Sequence, residues 1–299
     1  MPLEIYRNPF LGNIVDRLCT YDVLSGRCTE NSLLKEAMAQ YFWEQYFAKI
    51  TYSKIRKLFF ESGSTIAYLS SEFSTCLSTT AGQQHLTEWD ITTNNALTLL
   101  DFVLSTNINI SVFPYGPPEK RYGATFGGIR ALPEAPPPTK NEKLIPQEKK
   151  VVDTIARSMR KLGLQLLLAT TSGLELSPDS ALRGPHIGSY YNKLFKRALF
   201  TAGLPTVLFL DETKVKLPFK EGYCHAVCDP GMPFDELCQS LPFALCIGCS
   251  SKKKREELLE KIRPLGFVHV DPERKIRGCW PLIAKNSLFT EFIEQPRGE

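Results

Sequence analysis

The period of the apolar residues changes near residue 55, and that change predicts the architecture. Between Asn31 and Ile50, Leu33, Leu34, Ala37, Met38, Tyr41, Phe42, Tyr46 and Phe47 recur every three or four positions, on one side of an amphipathic helix with Asn31 or Ser32 as its cap. An aromatic-rich face of this kind suits either a core or a contact with another protein. Upstream, residues 1–29 carry no assignable period. From Lys57 onward short apolar runs alternate with helical segments, the rhythm of crossover units in a mainly parallel sheet. The runs predict strands over Lys57–Glu61, Asp90–Thr93, Ile108–Phe113, Leu164–Thr170, Thr206–Asp211, Ala244–Gly248 and Phe267–Val270. Helices are expected over Thr65–Phe73, Ala96–Ser105, Glu148–Lys161, Ser189–Ala202 and Lys252–Ile262. The expected fold class is α/β, Rossmann-like, with a mainly parallel sheet, helices on both faces and an N-terminal helical extension.

A Pro-rich, Lys-rich stretch over 132–147 interrupts this rhythm. Its run Pro136-Pro137-Pro138 can continue neither a helix nor a central strand, so an exposed excursion is expected. The strand-helix alternation resumes directly after it. The expected organisation is an extension over 1–53 and one α/β domain over 54–299.

Composition narrows the function classes. The 299 residues are 43% hydrophobic and 23% charged, as in an ordinary globular protein. Nine cysteines in a chain of this length, with no secretory leader pattern, read as reduced thiols of a cytoplasmic protein. Apolar runs are cut by Pro, Gly or charge well short of the roughly 18 residues a membrane span needs. A net charge of +4 is too slight to indicate nucleic acid. Neither membrane nor nucleic acid is expected as a partner.

The chemistry-bearing residues fall at the ends of the expected strands. Glu61-Ser62-Gly63-Ser64-Thr65 follows a strand and opens a helix, where hydroxyls and free amides would gather around an anion. Thr92-Thr93-Asn94-Asn95 ends the next strand. Thr170-Thr171-Ser172-Gly173 and Asp211-Glu212-Thr213-Lys214 end two more. Ligands of open α/β sheets sit beyond the carboxyl ends of the strands, so these loops can share one pocket.

In order and approximate spacing, these four loops resemble the effector-sensing domain of DeoR-type sugar regulators, which shares its fold with ribose-5-phosphate isomerase and CoA transferases. The resemblance spans roughly residues 54–270. Its pieces are the Glu61–Thr65 loop, the Thr93-Asn94 pair, and a Gly-bearing segment at Tyr122-Gly123-Ala124 or Phe126-Gly127-Gly128. Ser172-Gly173, a helix bearing Lys196-Arg197-Ala198, and a strand ending Asp211-x-x-Lys214 complete the series. The resemblance implies a sugar phosphate or nucleotide-like metabolite as ligand. Ser62, Gly63, Ser64 and Thr65 would surround its phosphate and Lys214 would supply positive charge, with Glu61, Thr93, Asn94, Gly123, Thr170, Ser172, Gly173 and Asp211 as further contacts. The winged helix-turn-helix of those regulators has no counterpart in residues 1–50. The expected function is therefore a sensor or binding module that acts through a protein partner or a homo-oligomer, with the N-terminal aromatic helix as the contact. No cofactor, metal or catalytic residue is assigned.

Two rivals stand beside this reading: a sugar-phosphate isomerase or acyl transferase with Asp211, Glu61 or Glu175 as base, and a scaffold subunit that binds nothing. Lesser candidates are a zinc site from Cys224, Cys228, Cys246 and Cys249 with His225, a nucleophilic Glu221, and anion contacts from His186, Arg121, Arg130 and Arg183. The run Lys252-Lys253-Lys254-Arg255 reads as a solvated first helical turn.

Overall fold

The computed structural model describes residues 29–53, 55–78, 89–105, 108–113, 146–177, 180, 183–188, 190–215 and 225–294. In chain order its elements are α1 (Ser32–Tyr52), β1 (Lys57–Phe60), α2 (Ser64–Ser78), β2 (Asp90–Thr93), α3 (Ala96–Ser105), β3 (Asn109–Val112), α4 (Pro146–Lys161), β4 (Leu166–Thr170), β5 (Gly173–Glu175), β6 (Gly184–Ile187), α5 (Tyr190–Thr201), β7 (Thr206–Asp211), β8 (His225–Ala226), α6 (Phe234–Ser240), β9 (Phe243–Gly248), α7 (Lys252–Ile262), β10 (His269–Val270), β11 (Leu282–Lys285) and α8 (Ser287–Glu294). The main sheet has eight strands in the order β10-β11-β9-β7-β4-β1-β2-β3. From β9 to β3 every pairing is parallel, while β11 and β10 add an antiparallel edge. A smaller antiparallel sheet, β5-β6-β8, stands apart.

The parallel strands are apolar on both sides because helices cover both. Phe60, Leu168, Phe209 and Cys246 face α1 and α2, whereas Phe59, Leu167, Leu208 and Leu245 face α4 and α5. This division explains why the strands read as continuous apolar runs rather than as alternations.

Helix α1 belongs to the first of these two cores. Tyr41, Phe42, Trp43 and Tyr46 are all buried, and the Phe42 ring meets Phe209 edge-to-face with centroids 5.0 Å apart. The Trp43 indole N–H donates to the Leu69 carbonyl at 2.8 Å, and the Tyr46 hydroxyl to Asp271 at 2.8 Å. The aromatic face expected to meet a partner is thus turned inward, since burying it against the sheet removes more apolar surface from water than a surface helix can. The N-terminus of α1 crosses the end of β9 so closely that a Cβ on Gly248 would stand 2.9 Å from the Leu34 carbonyl oxygen.

Most expected strands and helices occupy their predicted stretches, with ends shifted by a few residues. Strands β5, β6, β8 and β11 and helices α6 and α8 are additional. Of the Pro-rich excursion, 132–145 lie outside the described residues, and Pro146 and Gln147 open α4, where proline suits the first turn.

Candidate functional site

The chain runs outward from β1 through β2 to β3, then crosses back to lay β4 on the other side of β1 before continuing to β7 and β9. The crossovers change face at that point, with α2 and α3 on one side and α4 and α5 on the other. This reversal leaves a crevice beyond the carboxyl ends of β1 and β4, the usual ligand position in doubly wound sheets. Phe60, the last residue of β1, stands opposite Thr93, the last of β2, and opposite Leu168, two residues before the end of β4, so the loops that follow these strands adjoin one another.

Gly63 takes a φ of +142°, open to glycine and rarely to other residues, and a Cβ there would overlap the Thr170 methyl. The loop can therefore lie flat against the wall made by β4. Helix α2 begins at Ser64, and its first backbone bond runs from the Ala67 amide to the Gly63 carbonyl at 3.2 Å. The amides before Ala67 have no intrahelical acceptor and carry the positive end of the helix dipole. Ser62, Gly63 and Ser64 are half-buried, and Thr65 is buried.

Beneath this loop lies an ion pair that the sequence did not reveal. Glu61 is 4% exposed and Lys196, from α5, is 1% exposed. The Lys196 ammonium donates to the Glu61 carboxylate and to the Thr170 carbonyl, while the Thr170 amide donates to Glu61 Oε2 at 3.0 Å. The Thr170 hydroxyl donates to the Phe209 carbonyl at 2.9 Å. Burial raises the Glu61 carboxyl above its ordinary value, opposed by Lys196 and the Thr170 amide. Burial lowers Lys196, opposed by Glu61 and reinforced by the Lys214 charge. Glu61 therefore holds the ends of β1 and β4 together and faces the interior rather than solvent. Lys196 lies among Leu194, Phe195, Ala198 and Leu199 on the apolar face of α5, and a lysine in that company is the signal that would have marked it.

At the end of β7, Asp211 is fully buried and accepts from the Thr213 amide at 3.1 Å. Lys214 lies 3.5 Å from its other oxygen, with a quarter of the lysine side chain exposed. Asn31, at the entrance to α1 with φ 53°, makes no cap bond but donates to Asp211 at 3.4 Å and to the Thr213 hydroxyl at 3.2 Å.

On the β2 side, the Thr93 hydroxyl donates to the Phe60 carbonyl at 2.6 Å and accepts from the Asn95 amide at 3.0 Å. The Asn95 side chain donates to the Gly63 carbonyl at 3.1 Å, fastening the start of α3 to the loop. Asn94 is fully buried between them. Ser172 is exposed, its amide donating to the His186 carbonyl at 3.0 Å, and Gly173 pairs with His186 in the small sheet. Gly123 lies outside the described residues.

Comparison with known proteins gives no family. No protein-family model and no curated protein matches the chain. Among solved structures, ribose 5-phosphate isomerase from Plasmodium falciparum aligns over 89% of this chain and 86% of its own, at 12% identity and a TM-score of 0.33. A score that low assigns neither fold nor activity, and the fold here rests on the sheet order itself.

The lesser candidates separate. Cys228 and Cys246 line cores on opposite faces of the sheet, so the four thiols cannot surround one metal ion. Arg183 pairs with Asp235 at 2.5 Å. Lys252 and Lys254 pair with Glu273 and Glu257, each at 2.9 Å, as a solvated helical turn does. Cys224, Glu221, Arg121 and Arg130 lie outside the described residues. No helix among the described residues is long and apolar enough to cross a membrane.

Proposed function

We propose that the chain binds a phosphorylated small molecule at the carboxyl edge of its sheet and acts as a sensor or binding module, passing its state on through association with a protein partner or another copy of itself. The observation that supports the reading is the Gly63 loop: it lies against Thr170, whose carbonyl accepts from Lys196, and it opens α2 with free amides, while the partly exposed Lys214 stands close enough to Lys196 for its charge to be felt there. A phosphate there meets oriented N–H groups, hydroxyls of Ser62 and Ser64, and a flexible cationic side chain.

A sensor is favoured over an isomerase or transferase because the carboxylates at this edge are already engaged. Glu61 is held by Lys196 and Thr170, Asp211 by Thr213, and Glu175 accepts from the Ser177 amide at 2.7 Å. A general base must be able to reach the proton it removes.

Native mass spectrometry with a panel of sugar phosphates and nucleotides tests the proposal. Retention of one class, weakened at least tenfold by Lys214→Ala, is expected. Failure to retain any member favours a ligand-free scaffold, and chemical conversion of a retained compound favours the enzyme.

A further inference from the structure

We propose that Asn31, at the entrance to α1, is a positioning residue for the anion site: by donating to Asp211 it keeps the Lys214 ammonium loosely held and able to meet a phosphate. This inference rests on the proposed phosphate site and adds to it a residue of the N-terminal helix, outside the stretch over which the resemblance runs.

Asn31 does not serve its own helix. Its backbone takes a left-handed φ of 53°, which asparagine adopts more readily than most residues, and its side chain makes no cap bond. The Nδ2 group instead donates across 180 residues to Asp211 Oδ1 at 3.4 Å, and to the Thr213 hydroxyl at 3.2 Å. Fixing α1 to the sheet does not require these bonds. Further along the helix the Phe42 ring on Phe209 and the Trp43 bond to the Leu69 carbonyl already do so.

The two oxygens of Asp211 are engaged unequally. Oδ1 accepts from the Thr213 amide at 3.1 Å, from the Thr213 hydroxyl and from Asn31. Oδ2 has no hydrogen-bond partner among the described residues and faces Lys214 Nζ at 3.5 Å, longer than the roughly 2.7–2.9 Å of a charge-assisted bond. Glu212 does not compete for the lysine, because its two oxygens accept from the Ser250 amide at 2.9 Å and the Ser250 hydroxyl at 2.6 Å. Hydrogen bonds donated to a carboxylate stabilise its charge and weaken its pull on a neighbouring cation. The donors on Oδ1 therefore leave Lys214 attracted but not clasped, with a quarter of its side chain exposed. Without Asn31 the carboxylate has one donor fewer and draws Lys214 in, so an arriving phosphate competes against a tighter pair.

Calorimetric titration of the full chain with inorganic phosphate tests the role, with Asn31→Gly as the variant because glycine keeps the left-handed backbone without strain. Asn31→Gly is expected to weaken phosphate binding about threefold to tenfold, the worth of one hydrogen bond, and to have no further effect where Lys214→Ala is already present. Acetylation of Lys214 by acetic anhydride, followed by mass spectrometry of its peptide, gives a second readout that needs no ligand. It should be about twofold or more slower in Asn31→Gly, since a lysine held more tightly by its carboxylate reacts more slowly. Unchanged or tighter phosphate binding in Asn31→Gly, or an equal loss with and without Lys214→Ala, overturns the role of Asn31 and leaves the phosphate site standing. Acetylation that is unchanged or faster overturns that role as well. Absence of phosphate binding by the natural chain overturns the phosphate site and, with it, any part that Asn31 plays there.

Discussion

The two sides of the crevice are built on opposite terms. On the β4 and β7 side, charges are matched: buried Glu61 with buried Lys196, and buried Asp211 with the partly exposed Lys214. On the β2 side, Asn94, Thr65 and Thr98 are buried without hydrogen-bond partners among the described residues. The contrast separates polar groups that hold the fold from polar groups that do not. A matched buried pair holds strand ends in place, whereas a buried polar side chain without a partner has no bond to lose.

The largest test of the contrast removes one charge from the matched side. Lys196→Met strands the buried Glu61 and should destabilise the fold by about 3–5 kcal/mol in urea unfolding, whereas Glu61→Gln combined with Lys196→Met should recover most of that loss. A loss below about 1 kcal/mol for the single variant would mean that the pair does not hold the strand ends.

Asp101 sharpens the comparison from the other side. It lies on α3 beside Ser70 and Ser74 of α2, and burial raises its carboxyl from the ordinary 3.8 to about 6, opposed in part by those two serines. Below about pH 4 the group is protonated whether folded or unfolded. Between about pH 4 and 6 the unfolded chain ionises first, so stability falls as pH rises, and above that the loss stays constant. Asp101→Asn should therefore gain on the natural chain by about 2–3 kcal/mol between pH 4 and pH 7, measured by thermal unfolding. A pH-independent difference would contradict the assignment.

The smallest effects compare two threonines. Thr170→Val loses the bond to Phe209 and should cost about 1–2 kcal/mol, while Thr98→Val in the ligand-free chain should be neutral or slightly stabilising, since no bond is lost. Equal losses at the two positions would erase the distinction.

The sequence made the sheet legible because a parallel strand buried on both faces is a run such as Leu164–Thr170 or Thr206–Asp211, which little else imitates. Strand β6, Gly184-Pro185-His186-Ile187, escaped because its residues carry no strand pattern, and its pairing with β5 and β8 is tertiary. At the site, the Gly63 turn showed itself through glycine, serine and threonine at a strand end. Glu61 was legible as a member of that loop but not as an interior strut, because Lys196 lies 135 residues away in sequence. The duties of Asn94 and Asn95 could not be told apart in adjacent identical residues. Helix α1 was legible as a helix, but not as one buried on most of its surface, Lys35, Ala39 and Trp43 included, because its pattern cannot say whether apolar residues meet a sheet of the same chain or another protein.

Amide hydrogen exchange of the chain with and without a retained sugar phosphate tests the proposed phosphate site most directly. Slowed exchange at Ser62 to Ile66, together with the start of α3, is the expected result. Binding accompanied by unchanged exchange in both segments would place the ligand elsewhere and contradict the assignment of the Gly63 loop as its phosphate grip.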